Sequence, residues 1–92
     1  MSLGGRKPYS EVETEEGVSE RTFHCTSPED NFVWHRDEED RVVEVLSGND
    51  WHFQFDNQLP VKLMPGYKIR IEKNEWHRII KGSTDLTVRV YK

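Results

Sequence analysis

His35-Arg-Asp-Glu-Glu-Asp-Arg-Val-Val-Glu-Val-Leu-Ser-Gly48 is the stretch on which the reading of this chain turns. Its first six residues are almost all charged. After Arg41, Val42 to Leu46 form a β-branched run, and Ser47-Gly48-Asn49-Asp50 has the composition of a tight turn. Downstream, Trp51-His52-Phe53-Gln54-Phe55 alternates apolar with polar, and Asp56-Asn57-Gln58 turns again. Val61–Met64 is short. Pro65-Gly66 is a turn with a mechanism, because Pro presets φ and Gly accepts a positive one. Tyr67–Glu72, Trp76–Ile80 and Leu86–Tyr91 follow, separated by Lys73-Asn74 and Gly82-Ser83. Upstream, Arg21–Cys25 and Phe32–His35 carry the same period of two. Roughly eight short strands at near-regular spacing predict an all-β, antiparallel sandwich or barrel. No segment carries a helical stripe, and no repeat is visible.

Alternation also assigns faces. Trp51, Phe53 and Phe55 share one face, as do Tyr67, Ile69 and Ile71, and Leu86, Val88 and Val90; these are the expected interior. Trp34, Leu46, Trp76 and Ile80 fall on the opposite faces of their strands. Four large apolar side chains outside so small a core predict a partner surface, and the expected state is a homodimer through it. Residues 1–17, with Gly4, Gly5, Pro8 and four glutamates between 11 and 16, read as a flexible tail with a short edge strand near Tyr9–Val12. Residues 18–92 read as one barrel domain.

Composition narrows the function classes. The chain has 92 residues, 34% hydrophobic and 33% charged, with a net charge of −4. A mildly acidic surface lacks the basic stripe of a nucleic-acid binder. No apolar run approaches the length of a membrane span, and no signal peptide opens the chain. The one cysteine, Cys25, forms no internal disulfide. It fits a small buried hydrophobe in a reducing, cytoplasmic setting.

Two motifs make the chain resemble the cupin superfamily, in particular small single-domain RmlC-like jelly rolls. The family's first motif places two His, a Glu and a Gly across two strands and their turn. Here His35 holds the first His position, Asp37 the second, Arg41 the Glu position and Gly48 the Gly. In the second motif Gly66 opens, Glu72 replaces a Pro, Asn74 replaces a Gly, His77 holds the His and Lys81 replaces an Asn. Asn tolerates positive φ better than most residues, so the turn at Asn74 is expected to survive. The resemblance spans about Phe32 to Ile80. It implies a jelly-roll (double-stranded β-helix) barrel with a metal inside.

Carried over residue by residue, the resemblance implies a divalent metal (Fe, Mn, Ni or Zn) on His35, Asp37 and His77. Arg41 has no lone pair and cannot ligate; it is expected to pair with Asp37 or to bind ligand, with Trp51 or Phe53 walling the pocket. Two imidazoles and one carboxylate suit several first-row ions. The expected function is metal-assisted chemistry on, or binding of, a small molecule. The alternatives are a metal-free cupin binding a small anion, and a non-catalytic dimerising or regulatory cupin. Glu38 and Glu39 read as solvated, and Asp40 as a reserve ligand should the register slip. Glu72 and Glu75 stand near His77 as candidate acids or bases. His24 and His52 are assigned to the surface. A 2-oxoglutarate oxygenase would need a late-strand cation facing inward, and Arg89 alternates outward.

Overall fold

The computed structural model describes residues 9–28 and 32–92. Among them there are eight strands: β1 (Tyr9–Glu15), β2 (Val18–Phe23), β3 (Arg41–Ser47), β4 (His52–Phe55), β5 (Val61–Lys62), β6 (Lys68–Ile71), β7 (His77–Ile80) and β8 (Leu86–Tyr91). They form a five-stranded sheet, β1-β2-β8-β3-β6, and a three-stranded sheet, β5-β4-β7. Every pairing is antiparallel. β8, last in the chain, lies between β2 and β3, so the larger sheet closes only when the final strand docks. This is an antiparallel jelly roll, as the cupin resemblance implied; the alternation alone predicted an antiparallel sandwich or barrel. Among the described residues no helix is long and apolar enough to cross a membrane.

The core lies between the sheets and consists of Val45, Trp51, Phe53, Leu63, Ile71, Leu86, Val88 and Val90. β8 shows the alternation most plainly: Leu86, Val88 and Val90 are buried while Thr87, Arg89 and Tyr91 are not. Arg89 lies on the outer face, where it pairs with Glu20 at 3.1 Å and Glu44 at 3.7 Å. Gly66 and Asn74 both take positive φ, +95° and +65°, as their turns require.

Four sequence expectations need revision. The strand expected over Phe32–His35 is absent; His35 alone makes a β-bridge, to His77. Phe32 instead turns onto Trp51 (5.6 Å between centroids, edge-on) and Phe23 (6.4 Å). The edge strand near Tyr9–Val12 extends to Glu15 and pairs along β2. The rest of the expected tail, residues 1–8, lies outside the described residues. Tyr67 is 45% exposed, because it sits in the turn closed by its own N–H on Met64, beyond the end of the core. Trp51 does not wall a pocket: it is fully buried, and its indole N–H donates to the Thr84 carbonyl. Gly82 permits this, since a Cβ there would overlap the Trp51 ring and the Asn49 carbonyl.

Candidate metal centre

Between the end of β2 at Phe23 and the start of β3 at Arg41 the described residues belong to no strand, and His35 and Asp37 are among them. What locates them is one antiparallel pair. The His35 N–H donates to the His77 carbonyl at 3.0 Å, and the His77 N–H to the His35 carbonyl at 2.9 Å. In this register residue 34 faces 78 and residue 36 faces 76. Both pairs are cation–π contacts: the Arg78 guanidinium lies 4.7 Å from the Trp34 ring and that of Arg36 lies 5.2 Å from the Trp76 ring. Each contributes about 0.5–1 kcal/mol at such exposed sites. The outward tryptophans therefore clamp the irregular segment onto β7 and flank the inward histidine pair on both sides. Further along, Asn74 N–H donates to the Asp37 carbonyl at 2.7 Å and Lys73 N–H to Asp40 Oδ1 at 2.8 Å.

His35, Asp37 and His77 each offer a ligand atom, all within 4.8 Å of one another; His77 is buried, Asp37 half-buried and His35 exposed, so the cluster sits at the cavity mouth. The tautomers follow from their partners. His77 Nδ1 lies 2.8 Å from the Glu75 carbonyl and His35 Nδ1 lies 3.1 Å from the Val33 carbonyl. A carbonyl only accepts, so these contacts favour the tautomer protonated at Nδ1, which in a neutral ring leaves Nε2 to ligate. Backbone acceptors holding imidazoles in this way are the usual support of a metal site. Phe53 stacks on His77 at 5.5 Å and 20°, fixing the ring plane. The donor set fits a divalent ion: two imidazole nitrogens and one carboxylate. Burial, before all else, pushes His77 below the ordinary imidazole value of 6.5, and the neighbouring His35 adds to this. The Glu75 carbonyl and Asp37 work against it. His77 is thus neutral at pH 7, the form that ligates.

Arg41 does not block the carboxylate. Its Nη1 stands 4.0 Å from Asp37 Oδ1, beyond hydrogen-bond reach, while Asp37 Oδ2 is 3.6 Å from His77 Nε2. The Arg41 Nε is buried with no hydrogen-bond partner. Beside the cluster opens a cavity of about 540 Å³, whose wall includes Arg41, Phe53, Val43, Ile69, Val88 and Val90.

Of the other candidates, Asp40 turns to the Lys73 amide and Arg70, away from the cluster. Glu75 serves the centre through its carbonyl, and its side chain lies 3.4 Å from the Glu72 amide. Glu38 and Glu39 are exposed. His24 is exposed beside Asp85 at 3.4 Å, and His52 pairs across β4 with Ile80 and Lys62. Sequence reasoning missed a polar group on the far cavity wall. Glu11 accepts from Arg21 Nε at 2.7 Å and from the Ser19 hydroxyl at 2.8 Å. The Arg21 bond leads the effects that lower the Glu11 pKa. The signal was there in the alternation Ser19-x-Arg21-x-Phe23 facing Tyr9-x-Glu11, but the second pair lay in a stretch read as tail.

Two measurements check this construction. Replacing Arg78 by Met removes one clamp while keeping bulk, and should weaken zinc or iron affinity by about two- to fivefold; unchanged affinity by competition titration would show the clamp to be idle. The second follows from linkage. Unfolded, His77 titrates near 6.5; folded, it titrates lower. Between those values the unfolded chain binds a proton that the fold refuses. Stability of the metal-free protein should therefore fall as pH drops through 6.5 and level off below the folded value. In His77→Gln that part of the slope should be missing from urea titrations.

No protein-family model and no curated protein sequence matches the chain. Solved structures do. A cupin-2 domain protein from Shewanella frigidimarina is 17% identical, with a TM-score of 0.68 over 100% of this chain and 92% of its own. A chain from the structures of the DMSP lyases RdDddP and RnDddQII is 19% identical, with a TM-score of 0.67 over 79% of this chain. Fe(II) HppE in complex with substrate is 16% identical, with a TM-score of 0.64 over 91% of this chain. This chain spans only 35% of the lyase chain and 52% of the HppE chain. At such identities the likeness concerns architecture, and it agrees with the strand order and the paired sheets: the chain has the cupin fold.

Proposed function

We propose that the protein is a metal-dependent cupin that holds a divalent ion on His35, Asp37 and His77 and acts on a small molecule in the adjoining cavity. The observation that carries this reading is the convergence of three donor side chains on the cavity wall. The ligand atoms of His35, Asp37 and His77 lie within 4.8 Å of one another, His77 Nε2 stands 3.6 Å from Asp37 Oδ2, and each Nδ1 rests on a backbone carbonyl. HppE, of similar fold, is an Fe(II) protein, which makes iron the first ion to try here.

A bound ion would act as a Lewis acid or oxygen activator with open coordination positions. The protein's own residues do the rest. The Glu75 and Val33 carbonyls hold the imidazole protons away from the ion. Phe53 fixes the His77 ring. Val43, Ile69, Val88 and Val90 keep water from one side of the bound molecule. Fixed groups of this kind act without reorganising during reaction.

Elemental analysis of protein purified without an affinity tag tests the reading. Near-stoichiometric Fe, Mn, Ni or Zn in the wild type, lost in His77→Ala, is the expected result. Protein that is metal-free and takes up neither added Fe(II) nor Zn(II) would refute it. The reading also includes self-association through the outer face that carries Trp34 and Trp76, which stay 38% and 44% exposed despite their arginines. Light scattering at micromolar concentration should give twice the chain mass, reverting to the chain mass in Trp76→Ala.

A further inference from the structure

We propose that the cavity takes a small monocarboxylate with an apolar body, its anionic end gripped by Arg41 beside the metal cluster. The inference deepens the metal reading and rests on it for the position of the anion.

The first ground is the orphan donor. Arg41 Nε is buried with no acceptor, and Arg41 is on the cavity wall. The one ion pair of this guanidinium among the described residues, to Asp37 at 4.0 Å, is beyond hydrogen-bond reach, so the group lacks a close acceptor and a ligand oxygen would supply one. The second ground is charge. Asp37 is the only anion in the ligand set, and Arg41 beside it is a permanent cation. Adding a divalent ion leaves a surplus of positive charge against a largely apolar wall, where it is poorly solvated. One ligand anion relieves it. The third ground is distance. Asp37 reaches His77 Nε2 with one oxygen (3.6 Å) and Arg41 Nη1 with the other (4.0 Å), so guanidinium and cluster are a carboxylate's width apart. A second carboxylate, the ligand's, would find the same two partners.

The wall decides the class of anion. Arg21 and Lys92, the other cations there, attend Glu11, which Arg21 binds at 2.7 Å and Lys92 also stabilises. A phosphate or phosphonate would leave a third oxygen and a second charge unmatched by one guanidinium fork. Beyond Arg41 the wall is Val43, Ile69, Val88 and Val90, which suits hydrocarbon. At about 540 Å³ the cavity has room for a six-carbon chain.

Hexanoate, hexanamide and hexylphosphonate are the probes, titrated calorimetrically into zinc-loaded and zinc-free protein, with zinc content measured on each sample. We expect hexanoate to bind at least tenfold more tightly than either analogue, and Arg41→Met to abolish that preference. Arg41→Lys should restore it in part, without moving zinc content. Hexanamide or hexylphosphonate binding wild type as well as hexanoate does would overturn the inference, and this arm needs no variant to fold. So would hexanoate failing to bind, or binding Arg41→Met unchanged, while zinc still loads; the metal reading would then stand alone. Arg41-dependent hexanoate binding in protein that takes up no zinc would uphold the carboxylate site and remove the metal.

Discussion

Two reciprocal hydrogen bonds between His35 and His77 carry more of this protein's potential chemistry than any other contact. They pin an irregular segment to β7 and set the register in which both imidazoles face inward. The same register places Trp34 over Arg78 and Trp76 over Arg36 on the outside. Slipping by one residue would turn tryptophans inward and histidines outward. Asp37, two residues further on, is brought to the same interior by the same pair. The site is thus a consequence of sheet geometry extended by one bridge into a segment that is otherwise not strand.

Arg41 is the feature that sets this cluster apart from the motif it resembles. It opens β3 opposite Ile71, at the position where a fourth ligand was expected. An arginine there could have neutralised Asp37 and closed the site. At 4.0 Å it leaves the carboxylate oxygens free to ligate, and its own Nε lacks a partner. The change from an anion to a cation at one position alters the charge of the whole pocket. On the proposed metal reading, a cluster that would have been near-neutral with an ion carries a net positive charge instead.

The strands from Arg41 onward were legible because each buries one face, and alternation reports that directly. β3, β4, β6, β7 and β8 fall where the apolar period places them. The failures have physical causes. Phe32–His35 alternates, but its Phe is drawn to the aromatic cluster with Trp51 and Phe23, and the charged run after it gives no face to bury. β1 was underestimated because all its residues after Tyr9 are exposed, so nothing in its apolar pattern marked how far it runs. The His35–Asp37–His77 grouping followed from motif spacing. The arginine cover of the outer tryptophans was not legible because Arg78 and Arg36 are distant in sequence from the rings they meet; the cation–π pairing appears only once the His35–His77 register is known. The Glu11–Arg21–Ser19 group was hidden for the same reason as β1.

The most direct test of the account is the tautomeric state of His35 and His77. In ¹⁵N-labelled, metal-free protein at neutral pH, long-range nitrogen–proton correlation spectra should show both rings protonated at Nδ1. Both Nε2 resonances should then shift together, to one equivalent, on titration with zinc. Rings protonated at Nε2, or a single histidine responding while the other does not, would contradict the account, because the two would then not converge on one ion.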